Sequence, residues 1–319
     1  MSLFSKFKKG LRNPQEIPPY IRLKLAEFET RRRTLFLESQ LTQLNSFRSQ
    51  SKYLLVVLDS CRFDFFEERF QDYFEGDLKA VQSVGHDTFQ FGKRAWPDNH
   101  EVTYVSGATP IHSKDLEYED ELLRSLYDGY VPDDHISNII NAWAEGWDTS
   151  LGTCPPEAVT ETAVKNKADR MVVHYFQPHA PYIGEKSEYG YTETKNARPF
   201  EGKPVDSLIW ERVQNGEISD KQLQELYASN LDRVLQEVSY LIEQLDFENV
   251  VVTSDHGEAL GEFGRYAHPR RPHPYIRIIP WATINDVVIE VPEERPSVQI
   301  SDGEEQNVTE RLEELGYLE

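Results

Sequence analysis

The chain has 319 residues, with 34 Lys and Arg against 55 Asp and Glu, a formal net charge of −21 at pH 7, and 39% hydrophobic residues. That apolar share is enough for a substantial core and excludes wholesale disorder, and the acidity excludes the basic footprint that a nucleic-acid backbone requires. Two cysteines, Cys61 and Cys154, are too few for a disulfide framework. No apolar run approaches the roughly 20 residues that span a bilayer, and the opening MSLFSKFKKGLRNP lacks the long apolar core of a secretory signal. A cytoplasmic protein is expected. Its acid excess fits either a salt-adapted surface, where self-repulsion is screened, or an ordinary acidic cytosolic one.

Residues 1–50 read as an N-terminal helical extension. Within it, Ile21–Phe47 carries Leu23, Leu25, Phe28, Leu35, Leu37, Leu41 and Leu44 among charges, the pattern of an amphipathic helix. Pro14, Pro18 and Pro19 interrupt what precedes it. The first segment sets Leu3, Phe4, Phe7 and Leu11 beside lysines. Two readings stay open for it: packing on the main domain, or peripheral contact with an anionic membrane surface.

Residues 51–290 read as the main α/β domain. Tyr53–Leu58, Met171–Phe176 and Asn249–Thr253 are continuous apolar runs of strand length, which suits strands covered on both faces of a parallel sheet. Between the second and third, Asp220–Leu245 has helical spacing throughout. Strands alternating with helices define an α/β class. Residues 184–217, rich in Gly, Pro, Lys and Glu, are expected as a long loop. Residues 291–319 read as an exposed acidic tail with a short helix at Val308–Leu315.

The first and third runs both end in acids, Leu58-Asp59-Ser60-Cys61-Arg62 and Thr253-Ser254-Asp255-His256-Gly257-Glu258. Sites in open α/β sheets gather outside the carboxyl ends of the strands. Asp59, Asp255 and His256 are thus expected to meet, and two carboxylates with one imidazole suit a divalent cation. The second run leads into Gln177-Pro178-His179-Ala180-Pro181-Tyr182, where the prolines end the strand. His179 is placed there to contact an oxyanion or protonate a leaving oxygen. His174, inside the run, reads as a core histidine.

These segments together resemble the alkaline phosphatase–sulfatase superfamily in its sulfatase-like branch. Val56-Val57-Leu58-Asp59-Ser60-Cys61-Arg62-Phe63-Asp64 is similar to the opening metal-binding strand. Pro178-His179-Ala180-Pro181-Tyr182 is similar to the Pro-His-x-Pro-Tyr loop, and Asp255-His256-Gly257-Glu258 to the late metal strand. The ending Arg311–Glu319 is similar to sulfatase-like C-termini, and all four segments stand in family order.

The resemblance implies an alkaline-phosphatase-like core, a mostly parallel central sheet flanked by helices on both faces, and makes residues 51–290 the catalytic domain. It implies Asp59, Asp255 and His256 as ligands of a divalent ion, whether Zn, Mn, Mg or Ca. It makes His179 a substrate or leaving-group residue and gives His268, in Tyr266-Ala267-His268-Pro269, a place facing the substrate. The alternative for His268 is a surface histidine, and His273 is expected to be a surface bystander. The family places its nucleophile at a helix start some tens of residues after the first Asp. Formylglycine-dependent members use C/S-x-P-x-R there, and that pattern is absent from this chain.

Thr88, preceding a segment that can be helical as far as Pro97, is the expected nucleophile, ahead of Ser83 and then Ser106. The expected activity is metal-dependent hydrolysis or transfer of a phosphate or phosphonate ester. The substrate would be a small molecule or a glycan- or lipid-linked ester. The alternatives are a sulfatase and a degenerate member that binds metal without turnover.

Overall fold

The structure is a computed structural model that describes residues 17–113, 128–148, 151–187 and 205–290. The first segment with Leu3 to Leu11, and the expected acidic tail at 291–319, lie outside the described residues.

In chain order the elements are α1 (Pro19–Thr34), β1 (Glu38–Ser39), α2 (Gln40–Phe47), β2 (Tyr53–Asp59), α3 (Phe63–Tyr73), β3 (Phe74–Gln82), α4 (Thr88–Ala95) and β4 (His100–Ser106). They continue with β5 (Ile136–Asn141), α5 (Ala142–Glu145), α6 (Pro156–Lys165), β6 (Arg170–Pro178), α7 (Val205–Gln214) and α8 (Asp220–Leu245). The last are β7 (Val250–Ser254), β8 (Ala259–Leu260), β9 (Tyr266–Ala267), α9 (Pro274–Arg277) and β10 (Ile278–Val287).

Eight strands form one sheet in the order β1-β3-β10-β7-β2-β6-β4-β5. All neighbours are parallel except β10, which runs antiparallel to both β3 and β7. Every residue of β2 and β7 is buried. A strand can be buried at successive alternating positions only if helices cover both faces of its sheet. This is the α/β class expected from the three apolar runs. α3, α6 and α8 pack together over part of the sheet, while Phe47 of α2 packs edge-on against Trp281 of β10 at 6.2 Å.

Three local features depart from the sequence reading. Ile21–Phe47 is two helices, because the chain leaves α1 at Thr34, adds β1 beside β3, and restarts where the Ser39 hydroxyl caps α2 by accepting from the Leu41 N–H. Part of the expected 184–217 loop is helix α7. The β10 strand carries Pro280 in its middle, a residue that usually argues against a central strand. Its carbonyl still accepts from the Thr253 hydroxyl at 2.7 Å.

The parallel pairing of β2 with both β6 and β7 sets three strand ends side by side at the carboxyl edge. There the chain leaves β2 at Asp59, β6 at Pro178 and β7 at Ser254.

Candidate metal centre and active site

Asp59 is the last residue of β2, and Ser60 turns the chain with a positive φ of 61°. A non-glycine residue held there signals a backbone fixed by its surroundings. The fixing contacts are visible. The Ser60 N–H donates to Asp255 Oδ1 at 3.1 Å, and the Ser60 carbonyl accepts from the Tyr227 hydroxyl of α8 at 2.8 Å. The Ser254 hydroxyl donates to the Leu58 carbonyl and accepts from the Cys61 N–H, so the two strand ends are stitched together. Arg62 adds a clamp. Its buried guanidinium pairs with Asp64 at 2.6 Å and Glu262 at 2.7 Å and stacks on Tyr275. Asp64 is thereby spent on Arg62 and stands apart from the ligand set.

Asp255 Oδ1 accepts from two backbone N–H groups, those of Ser60 and His256. Its second oxygen, Oδ2, is left facing inward. The Thr88 hydroxyl lies 2.8 Å from Asp255 Oδ2 and 3.2 Å from Asp59 Oδ2. His256 Nε2 lies 3.3 Å from Asp255 Oδ2 and 3.6 Å from Asp59 Oδ1. One donor atom from each of Asp59, Asp255 and His256 lies within 4.8 Å of the others, and all three residues are buried.

The proton count shows what this cluster lacks. His256 Nδ1 sits 3.0 Å from the Gly257 carbonyl, which can only accept, so Nδ1 carries the proton. Burial holds the ring's pKa down to about 4, so the imidazole is neutral and its Nε2 lone pair points at the carboxylates. That nitrogen has no hydrogen-bond partner among the described residues. Thr88 has one proton for two acceptors. Burial, and then the neighbouring Asp255, push the Asp59 carboxyl well above its usual range, and burial pushes Asp255 up as well. A lone pair and two carboxyls whose negative charge is costly here converge on one point, which is what a cation site requires, and a carbonyl holding the ligand's other nitrogen is the usual support for a metal-bound histidine. The residues fit a divalent metal ion, and oxygen with nitrogen donors suit several.

Gly257 explains why the Asp-His pair needs glycine after it. A Cβ there would lie 2.1 Å from the Tyr275 carbonyl oxygen, closer than any side chain allows.

Thr88 opens α4 at its first helical position, but it is not the cap. Asp87 fills that role, its carboxylate accepting from the Gln90 N–H at 2.9 Å while also pairing with Arg270. The Thr88 hydroxyl is therefore committed to the acids rather than to the helix. The other two hydroxyls considered are spent on the backbone. Ser83 donates to the Asp255 carbonyl at 2.7 Å, and Ser106 to the Ala108 carbonyl at 2.7 Å.

His179 stands between two cis prolyl bonds, Gln177-Pro178 and Ala180-Pro181. Asn230 of α8 holds that loop, donating to the carbonyls of Pro178 and His179 and accepting from the Ile183 N–H. His179 Nε2 lies 3.2 Å from His268 Nε2, and the His268 ring centroid is 4.6 Å from that of His256. His268 therefore lines the cluster and is no detached surface residue. Burial, then the nearby imidazoles, lower His179 well below its usual value and His268 to about 3. His179 Nδ1 faces the Ala180 carbonyl, which can only accept, so the proton sits there and Nε2 presents its lone pair to His268. His273, expected as a surface bystander, is buried with Nε2 3.3 Å from the Glu262 carbonyl.

His174, read from the sequence as a core histidine, is fully buried, and it also adjoins the cluster. It pairs in register with Val57, two residues before Asp59, and so faces the same side of the sheet. Its Nδ1 is 2.8 Å from the Tyr104 hydroxyl, and its Nε2 is 4.0 Å from Asp255 Oδ2. The only signal in the sequence was a histidine inside an apolar run, which ordinarily marks a satisfied core residue.

No family model matches the chain, and no curated protein matches it. Among solved structures, it is similar to the soluble domain of lipooligosaccharide phosphoethanolamine transferase A from Neisseria meningitidis. Identity is 16%, with 72% of this chain and 75% of that chain covered at a TM-score of 0.40. The integral membrane form of that transferase gives 17% identity at a TM-score of 0.41, covering 88% of this chain but only 58% of its own length. Phosphonate monoester hydrolase of Agrobacterium radiobacter gives 12% identity, 74% and 68% coverage and a TM-score of 0.41. These neighbours fall in the alkaline phosphatase–sulfatase superfamily, which the motifs resemble. At such identities and TM-scores they leave the reaction to be read from the site.

Proposed function

We propose that this chain is a metal-dependent hydrolase or transferase of phosphate or phosphonate esters, with Thr88 as nucleophile. The observation that carries this reading is the Thr88 hydroxyl, which lies against both Asp255 and Asp59 while Asp87 does the capping. When bound by Asp59, Asp255 and His256, a divalent ion would lower the pKa of a nearby hydroxyl and balance the charge of the ester.

In this reading Thr88 Oγ1 attacks phosphorus and gives up its hydroxyl proton, the bond from phosphorus to the leaving oxygen breaks, and the proton given up by Thr88 ends on that oxygen. The His179–His268 pair, its ring nitrogens 3.2 Å apart, is placed to hand that proton on to the leaving oxygen. A water or an acceptor alcohol then displaces Thr88 from phosphorus and its proton returns to Thr88 Oγ1, and the choice between the two separates hydrolase from transferase. Asp59 and Asp255 orient the Thr88 hydroxyl, and Arg62 and Ser254 keep their strand ends in register. The absence of C/S-x-P-x-R favours phosphorus over a sulfate ester.

The test is a panel of aryl phosphate, phosphodiester, phosphonate and sulfate esters, run with added divalent metals. Intact-mass analysis of quenched reactions accompanies it. Turnover of a phosphorus ester with a phosphorylated Thr88 is expected. Turnover of sulfate alone would replace this reading with a sulfatase. Metal binding without turnover of any ester would replace it with a degenerate binding protein.

A further inference from the structure

Charge is distributed unevenly along this chain. Residues 1–37 hold nine Lys and Arg against three Glu, a net +6, which leaves −27 for the remainder. The structure shows where part of that excess is displayed. Among the described residues, five of the six exposed large apolar side chains lie on α1 or just beyond it: Tyr20, Ile21, Phe28, Leu35 and Phe36. Phe28 is 61% exposed, Leu35 69% and Phe36 91%, values that leave them without cover from the described residues.

Ile21, Phe28 and Leu35 are spaced by seven residues, so they drift by only about 20° per step and form one stripe. Ala26 and Thr30, the buried residues of α1, lie on the opposite side. Lys24, Arg31 and Arg32 flank the stripe at three- and four-residue offsets and are exposed. Glu27 and Glu29 pair with Lys24, Arg32 and Arg33 within the helix, and Arg31 has no acid partner among the described ion pairs. An apolar stripe edged by cations is the pattern of a helix lying in the plane of a bilayer interface. No described helix is long and apolar enough to cross one.

We infer that α1 docks on an anionic lipid surface. Charge complementarity selects this occupant over two others. A second copy of the chain, stripe against stripe, would set Lys24, Arg31 and Arg32 against their own kind. The segment before α1 carries Lys6, Lys8, Lys9 and Arg12 with Glu16 as its only acid, so it too would oppose like charge. Aromatic and aliphatic side chains between the cations favour lipid over an acidic polypeptide. The other side of α1, which carries Arg22 and Arg33, is the one that adjoins the catalytic edge. The Arg33 guanidinium lies 5.3 Å from the Tyr275 ring of α9, and Arg22 lies against Gly264.

The experiment is flotation of the full chain with vesicles of equal parts phosphatidylcholine and phosphatidylglycerol, and with vesicles of phosphatidylcholine alone. Binding to the anionic vesicles, weakened by salt, is expected. The double variants Ile21→Asp with Phe28→Asp, and Arg31→Glu with Arg32→Glu, should each cut the bound fraction roughly tenfold. All four side chains are exposed, so melting temperature and turnover of a soluble ester should not change. Turnover in solution is read independently, so the catalytic reading can fail without this one failing. No flotation of the wild type, equal flotation on neutral vesicles, or undiminished flotation of both variants would overturn the inference. So would a dimer that Phe28→Asp dissolves, or binding to polyglutamate in place of vesicles.

Discussion

The Thr88 hydroxyl lies 2.8 Å from Asp255 Oδ2, across 167 positions of sequence. Two unrelated local decisions produce that contact. One is the helix start at Asp87, which presents the next side chain inward. The other is the pair of backbone N–H groups on Asp255 Oδ1, which fixes the carboxylate so that Oδ2 meets the hydroxyl.

Changing Thr88→Ala should therefore remove turnover while sparing the fold. Loss of a nucleophile costs roughly three orders of magnitude or more. An N-cap lost to Ala costs only about 1 kcal/mol, and here Asp87 is the cap. Rates of ester turnover, metal content and melting temperature should show activity gone, metal retained and stability nearly unchanged. Thr88→Ser should recover part of the rate. A Thr88→Ala protein with normal turnover would exclude the nucleophile assignment.

Gly257→Ala should disrupt the centre through the backbone. The added methyl would meet the Tyr275 carbonyl oxygen at 2.1 Å, and overpacking of this kind costs roughly 1–3 kcal/mol. Relief must come from moving either α9 or the segment carrying His256. A lower melting temperature together with weaker metal binding by calorimetry is expected. An unchanged metal affinity would show that the segment is free to move.

How much of this was legible in the sequence depends on whether a residue's role is local. β2, β6, β7 and α8 were legible because burial on both faces imposes continuous apolarity, and a long amphipathic helix repeats its pattern; Asp220–Leu245 is the range of α8 itself. The strand-end acids were legible because parallel pairing forces such ends together. β10 was hidden by Pro280, whose missing N–H is tolerated in its place in the sheet. His174 was hidden because its relation to Asp255 is set by register between β2 and β6, which no pattern within Met171–Phe176 reveals. The His179–His268 contact spans 89 positions and required the fold.

Metal-free protein should lose stability on acidification below about pH 6.5. Burial lowers His86, His112, His174, His256 and His273 to about 4 and His268 to about 3, against an ordinary value of 6.5. Between pH 6.5 and 4 the unfolded chain therefore binds more protons than the folded one, and stability falls as pH falls. Each proton of difference contributes about 1.4 kcal/mol per pH unit. Asp59 and Asp255 act oppositely, since their raised pKa values favour the folded state at low pH, but two groups do not offset six. Melting temperatures of chelator-treated protein across this window should decline steeply. A flat profile would mean that the histidines are hydrated.

The central claim is that Asp59, Asp255 and His256 hold a divalent ion beneath the Thr88 hydroxyl. Elemental analysis of the purified full chain, set beside His256→Ala and Asp255→Asn, tests it most directly. The account predicts a single divalent ion per wild-type chain and loss of that ion in both variants, with Thr88→Ala retaining it. A wild-type chain that binds no divalent ion on titration, or variants with undiminished metal, would contradict it.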